Sequence, residues 1–138
     1  MICKPAMNVP MRHLFSLIGI FLPAAAFAAE VPVRLAAGGK PPAEVVVAES
    51  ASEPTRKTAE TLAAQLKKIT HAAFEVRIGD GASGIVVGTV RDFPNLAGEL
   101  PREPKEDERE TYRLRSHEQG LWLIGTTELA VEHAVWPL

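Results

Sequence analysis

The pattern of hydrophobic and polar residues predicts a strand followed by a helix in the middle of the chain. A run of three valines between Glu44 and Glu49 predicts a strand with a buried centre. Ser52 then has the side chain of a helix N-cap, with Glu53 and Pro54 in the first turn. The helix presents one apolar face at the spacing i, i+3, i+4, i+7 and i+10, formed by Ala59, Leu62, Ala63, Leu66 and Ile69.

Strand signals dominate the residues after this helix. Phe74, Val76 and Ile78 alternate with polar residues, which predicts a strand with one buried face and one solvated face. The glycines of residues 79–84 predict a hairpin turn. The apolar residues 85–88 then predict an inner strand.

The last third of the chain predicts a loop, a hairpin and a second helix. Residues 91–107 are charged and contain proline, as a loop does, and residues 111–116 and 121–125 then form the two halves of a predicted hairpin. Thr127 is suited to cap a helix that starts at Glu128.

A further strand is predicted upstream of the first helix. Val31, Val33 and Leu35 alternate with polar or proline positions, which is typical of a short edge strand, and residues 38–42 read as a turn. The full predicted order is β-β-α-β-β-β-β-α.

The first 28 residues have the pattern of a secretory signal peptide. Basic residues precede the apolar run of residues 14–27, and this run ends in small residues suited to cleavage between Ala28 and Ala29. The run is too short to span a hydrocarbon core of about 30 Å comfortably, so a membrane anchor is the less favoured interpretation. We therefore expect a signal peptide over residues 1–28 and a mature domain over residues 29–138. The protein is expected to be secreted or periplasmic, with no membrane contact after cleavage.

Composition limits the classes of function. The chain has 138 residues, which allows one ordinary domain, and a net charge of −2. This balance lacks the basic excess that binding to nucleic acid requires. The one cysteine, Cys3, lies in the predicted signal peptide, so the mature part has no disulfide and no cysteine-rich metal site. An exported domain without disulfides indicates a bacterial envelope.

A carboxylate cluster is the first candidate for chemistry. Two carboxylates held about 5–10 Å apart across a sugar can hydrolyse a glycosidic bond. The cluster consists of Glu106, Asp107, Glu108 and Glu110. Basic residues alternate with it, namely Arg102, Lys105 and Arg109, so a solvated charged segment is the favoured interpretation. We predict no catalytic residue in this chain.

Other motifs for catalysis or ligand binding are incomplete. His71, His117 and His133 lack the close spacing of metal ligands, and we predict no metal site. The glycines of residues 79–84 are not followed by the Lys-Ser/Thr of a phosphate-binding loop, and the serines lack a nucleophile motif. We expect no cofactor. Trp122 and Trp136 have the rings to stack on sugars, although strand and helix positions favour a core or interface role.

Several segments, in this order and spacing, carry a resemblance to a known family. They are VVVAESASEPTRKTAETLAAQLKKITHAAF at 45–74, GIVVGT at 84–89, ETYRL at 110–114, LWLIG at 121–125, and 130–138. Together they resemble the small N-terminal domain that precedes the barrel of bacterial alpha-glucuronidases, and the related domain of beta-hexosaminidases and chitobiases. The matching motifs are Ala59-Glu60-Thr61-Leu62, Ile69-Thr70 and Ile124-Gly125. His71 departs from the pattern, which has glycine at this helix end, and Glu128 stands where a small residue is common. Histidine is a poorer left-handed cap, so we expect this turn to close differently.

The resemblance implies a fold and a function. It implies an α+β domain with a mostly antiparallel sheet of about five to six strands and two helices packed on one face. It also implies a non-catalytic accessory domain of a secreted glycoside hydrolase that degrades polysaccharide such as xylan. The catalytic carboxylates would lie in a following barrel, so the chain is expected to be truncated in its second helix. The alternative is a stand-alone extracytoplasmic module that binds carbohydrate or protein.

The second helix predicts a domain interface. Its apolar residues surround much of the helix: Leu129, Ala130, Val131, Ala134, Val135, Trp136 and Leu138. The sheet is expected to cover one side of it through Tyr112, Leu114, Leu121 and Leu123. The other side, with Trp136 and Leu138, is the predicted contact with the missing catalytic barrel.

Overall fold

The computed structural model describes residues 43–136. The predicted signal peptide, its cleavage between Ala28 and Ala29, the predicted edge strand at 31–35, the turn at 38–42 and Leu138 lie outside the described residues. Within residues 43–136, neither helix is long and apolar enough to cross a membrane.

The described part of the chain forms five strands and two helices, with a short 3-10 helix at Glu106–Glu108. These elements are, in chain order, β1 (Val45–Val47), α1 (Glu53–Thr70), β2 (Val76–Ile78), β3 (Gly84–Thr89), β4 (Tyr112–His117), β5 (Gly120–Gly125) and α2 (Glu128–Val135). The order and the positions of these elements agree with the sequence pattern, within a residue or two at their ends.

The sheet is mixed, in the order β2-β1-β3-β5-β4. Four neighbouring strands, from β2 to β5, are parallel, and only the pairing of β4 with β5 is antiparallel. The α+β class is therefore confirmed, and the expected mostly antiparallel sheet is wrong. The inner strands β1 and β3 are buried along their whole length, as strands of a parallel sheet covered on both faces are.

The two faces of the sheet are covered by different parts of the chain. Helices α1 and α2 pack against each other and against the strands, so they share one face. On that face, a side chain at Gly125 would meet the backbone of Val131 in α2. On the opposite face, a side chain at Gly88 would meet the ring of Phe93, which belongs to the loop after β3. Gly88 and Gly125 lie on opposite faces because Gly125 pairs with Thr89, the residue next to Gly88.

The glycine-rich segment between β2 and β3 is a crossover. Both strands pair in parallel with β1, from its two sides, so they cannot form the predicted hairpin. Residues 79–83 instead pass across β1, and a side chain at Gly79 would meet Val46 at 2.8 Å. Glycine is needed at position 79 because the backbone there runs directly over a buried valine.

Helix α1 begins as predicted, but its last turn closes in the way that a glycine would close it, although a different closure was expected for His71. The Oγ of Ser52 accepts the N–H of Thr55 at 3.4 Å, and four of the five predicted apolar positions are buried. Ile69 is 66% exposed, because the 18-residue helix extends past the three-residue strands beneath it. His71 takes the left-handed conformation (φ 60°), and its N–H donates to the carbonyl of Lys67, so this turn closes as a glycine would close it.

The predicted hairpin of β4 and β5 is confirmed, with a turn at Glu118 and Gln119. The hairpin covers one side of α2 only in part. Leu123 is fully buried, while Tyr112 and Leu114 on the edge strand are 40% and 47% exposed.

Candidate functional site

The carboxyl ends of three parallel strands meet at one edge of the sheet. The chain leaves β1 and β5 into helices on one face, and it leaves β3 into a loop on the opposite face. Where neighbouring strands send their connections to opposite faces, a crevice opens at their carboxyl ends, and open α/β sheets bind ligands there. The topology therefore points to this edge as the candidate site.

A groove occupies this edge, which we call the carboxyl-edge groove. Its volume is about 780 Å³, and its charged and hydroxyl lining includes Thr89, Arg91, Glu103, Glu106, Arg109 and Glu128. A smaller pocket of about 230 Å³ adjoins it on the β1 side and adds Ser50 and Ser52. The lining comes from four separate stretches of the chain that only the sheet brings together.

Hydroxyl groups fix the walls of the groove. The N–H and the Oγ1 of Thr89 both donate to Oδ2 of Asp92 at 2.8 Å, which holds the turn after β3. The Oγ1 of Thr126 donates towards the carbonyls of Glu108 (2.8 Å) and Thr111 (3.0 Å). These contacts tie the charged loop to the end of β5, so the backbone of the groove is held in place.

Thr127 adds a second link at the same end. Its Oγ1 donates to the carbonyl of Arg109 and accepts the N–H of Ala130 at 3.3 Å. It is thus both the predicted N-cap of α2 and a contact that positions the Arg109 backbone.

Within residues 43–136, the charged side chains that line the groove form no ion pair. In the part of the chain that the structure describes, Arg77 forms an ion pair with Glu44, and Nδ1 of His133 lies 3.6 Å from a carboxylate oxygen of Glu110. Neither Arg91 nor Arg109 has a carboxylate within 4 Å among residues 43–136, although carboxylates line the same groove. As far as the described residues go, the groove therefore offers unpaired guanidinium and carboxylate groups to a ligand.

The predicted carboxylate cluster lies in solvent along one wall of the groove. Glu106 and Asp107 are exposed, and Glu108 uses Oε2 to accept the N–H of Lys105 at 3.0 Å in a local turn. Glu110 contacts His133. Of the four, Glu106 lines the groove, and the others serve local contacts or face water.

The predicted histidines are dispersed over the domain. His71 ends α1, His117 ends β4 and His133 lies in α2. Among residues 43–136, no group of three or more His, Cys, Asp or Glu side chains is arranged to hold a metal ion.

Trp122 packs against its neighbours on the sheet. Its ring stacks on His117 with centroids 4.7 Å apart and planes 27° apart, and the guanidinium of Arg115 lies 5.8 Å from its centroid. Burial lowers the pKa of His117 below its ordinary value of 6.5. The indole is half-buried, and the ring stack indicates a packing role for Trp122.

Trp136 lies at the end of α2 and is 63% exposed. It lines a small apolar pocket between the two helices, together with Ile69 and Val135. Its role as an interface residue stays a prediction, and so does that of Leu138.

Comparisons with known proteins give a fold likeness. No protein-family profile matches the chain. No curated protein matches it at a significant level. Among solved structures, the chain is similar to part of a family GH115 4-O-methyl-alpha-glucuronidase with specificity for decorated arabinogalactans, with a TM-score of 0.52 and 18% sequence identity. The match covers 72% of this chain and 13% of that enzyme's chain, so this chain spans a small part of its length. The likeness shows a shared α+β fold with a segment of a glycoside hydrolase.

Proposed function

We propose that this chain is a non-catalytic accessory domain of a secreted glycoside hydrolase of the alpha-glucuronidase type. The observation that carries the proposal is the fold likeness to a segment of the GH115 enzyme. The matched segment is 13% of that enzyme's chain. The order of the matching sequence motifs supports the same family. The partner of the domain is then a catalytic barrel, and the substrate of the whole protein is a glucuronate-bearing polysaccharide such as xylan.

The carboxylates of this chain support a non-catalytic role. Glycoside hydrolysis needs a raised pKa on one carboxyl group and a sugar held between two. Glu106 and Asp107 are open to water, and Glu108 is occupied by the Lys105 turn. Such groups do not hold a glycosidic bond between an acid and a base or nucleophile, as hydrolysis requires.

The proposal is tested by hydrolysis. The full chain is incubated with an aryl 4-O-methyl-alpha-glucuronide and with glucuronoxylan, and released uronic acid is measured. We expect no release above buffer. Turnover that disappears in Glu108→Gln or Glu110→Gln would show that the charged loop is catalytic and would overturn the proposal.

A second measurement concerns the coding sequence after Leu138. An open reading frame that continues through about 250 residues of alternating strand and helix would supply the barrel. A stop codon there would favour the alternative, a stand-alone extracytoplasmic binding module. The carboxyl-edge groove is the feature that favours this second candidate.

A further inference from the structure

The carboxyl-edge groove has the size and position of a small-ligand site. Its volume of about 780 Å³ falls in the range of about 300–1,000 Å³ that small-molecule sites occupy. It lies where β3 and its two neighbours send their connections to opposite faces of the sheet. Its backbone is already held by the hydroxyl contacts of Thr89, Thr126 and Thr127. A ligand would therefore find the walls in place.

The unpaired charges define the chemistry of the ligand. The guanidinium groups of Arg91 and Arg109 are suited to bind a carboxylate through paired hydrogen bonds. The carboxylates of Glu103, Glu106 and Glu128 can only accept hydrogen bonds, and sugar hydroxyls donate them.

These two sets disfavour simpler ligands. A phosphate or another compact polyanion would be repelled by the three carboxylates of the groove more strongly than a ligand with one negative charge. A neutral sugar would leave both guanidinium groups without an anionic partner. A ligand that satisfies both sets has one carboxylate and several hydroxyl groups.

We propose that the carboxyl-edge groove binds a uronic acid, with its carboxylate on Arg91 and Arg109 and its hydroxyls on the groove carboxylates. The choice of a uronate among hydroxy acids rests on the proposed function. Binding by an accessory domain would hold the enzyme near glucuronate-bearing chains without cutting them.

The experiment is a titration of the ¹⁵N-labelled full chain, followed by amide chemical shifts. Sodium D-glucuronate is compared with D-glucose, which lacks the carboxylate, and with sodium acetate, which lacks the hydroxyls. We expect saturable shifts with glucuronate at residues that line the groove. We expect binding at least about tenfold weaker with glucose and with acetate, since each loses one set of charge-assisted bonds.

Matched variants locate the site. Arg91→Gln and Arg109→Gln are expected to weaken glucuronate binding at least about tenfold, while Arg102→Gln, an exposed arginine of the same loop outside the groove lining, is expected to leave it unchanged. All three positions are on the surface, and the dispersion of the amide spectrum confirms that each variant is folded.

Three results would overturn the inference. They are the absence of saturable shifts with glucuronate, equal binding of glucose or acetate, and an equal loss in Arg102→Gln. The proposed function fails by a different result, the release of uronic acid by this chain. The titration with glucuronate could still be interpreted in that case.

Discussion

Gly120→Ala should destabilise the domain far more than Gly98→Ala, although both glycines have positive φ and both lack space for a methyl group. At Gly120 (φ 156°), a Cβ would lie 1.9 Å from the carbonyl oxygen of Gly84, and this oxygen belongs to the backbone of the neighbouring strand. At Gly98 (φ 61°), a Cβ would lie 1.6 Å from a terminal nitrogen of Arg113, which is the end of a flexible side chain. The first clash moves a strand and the second moves a side chain.

The magnitudes follow from what must move. Gly98 is in the left-handed region, where an L-residue costs about 1–2 kcal/mol, and alanine recovers about 0.4–1 kcal/mol by restricting the unfolded chain. We therefore expect a net loss of about 0–1.6 kcal/mol. Gly120 has a backbone conformation that is almost restricted to glycine, and placing alanine there costs about 1–3 kcal/mol. The clash also displaces the N–H of Gly84 from the carbonyl of Gln119, so a backbone hydrogen bond is weakened. We expect a loss of about 3 kcal/mol or more.

The assay is equilibrium unfolding in urea, with the free energy of unfolding obtained from the midpoint and the slope. A loss of about 3 kcal/mol is a large part of the roughly 5–15 kcal/mol that stabilises a small domain. The reasoning fails if the two variants lie within about 0.5 kcal/mol of each other, because the distinction between a backbone clash and a side-chain clash would then have no consequence.

Three further predictions follow from the sequence and the structure. Intact-mass measurement of exported protein should give a chain that begins at Ala29, since Ala28 is the small residue before the cut; a soluble exported product that retains Met1 would contradict this. Trp136→Ser should reduce self-association in sedimentation experiments without unfolding the domain, because an exposed indole at a helix end favours association; a wild-type chain that stays monomeric at high concentration would contradict it. The free energy of unfolding should fall as the pH drops below about 6.5, because partial burial lowers the pKa of His117 in the folded state and the unfolded state therefore binds more of a proton; His117→Gln should remove this part of the pH dependence, and an unchanged profile would rule out His117 as its source.

The placement of the candidate site could not be predicted from the sequence. Ser50, Thr89, Arg109 and Glu128 come from distant parts of the chain, and they share one edge because β1, β3 and β5 run in the same direction. Each strand end carried a polar residue, which was a weak signal. These polar residues indicate a common site only when the direction of each strand is known.

The features that the residue pattern predicts correctly are local ones. The cap at Ser52, the buried face of α1, the β4–β5 hairpin and the cap at Thr127 follow from side chains and spacings within a few residues, so pattern alone predicts them. Which strands pair, and in which direction, depends on contacts between distant parts of the chain. Alternation specifies the face of a strand and not its neighbour, so residues 79–84 look like a hairpin turn until β1 is placed between β2 and β3. The same reason explains Ile69, whose apolar position belongs to the stripe of α1 but lies beyond the short strands that would have buried it.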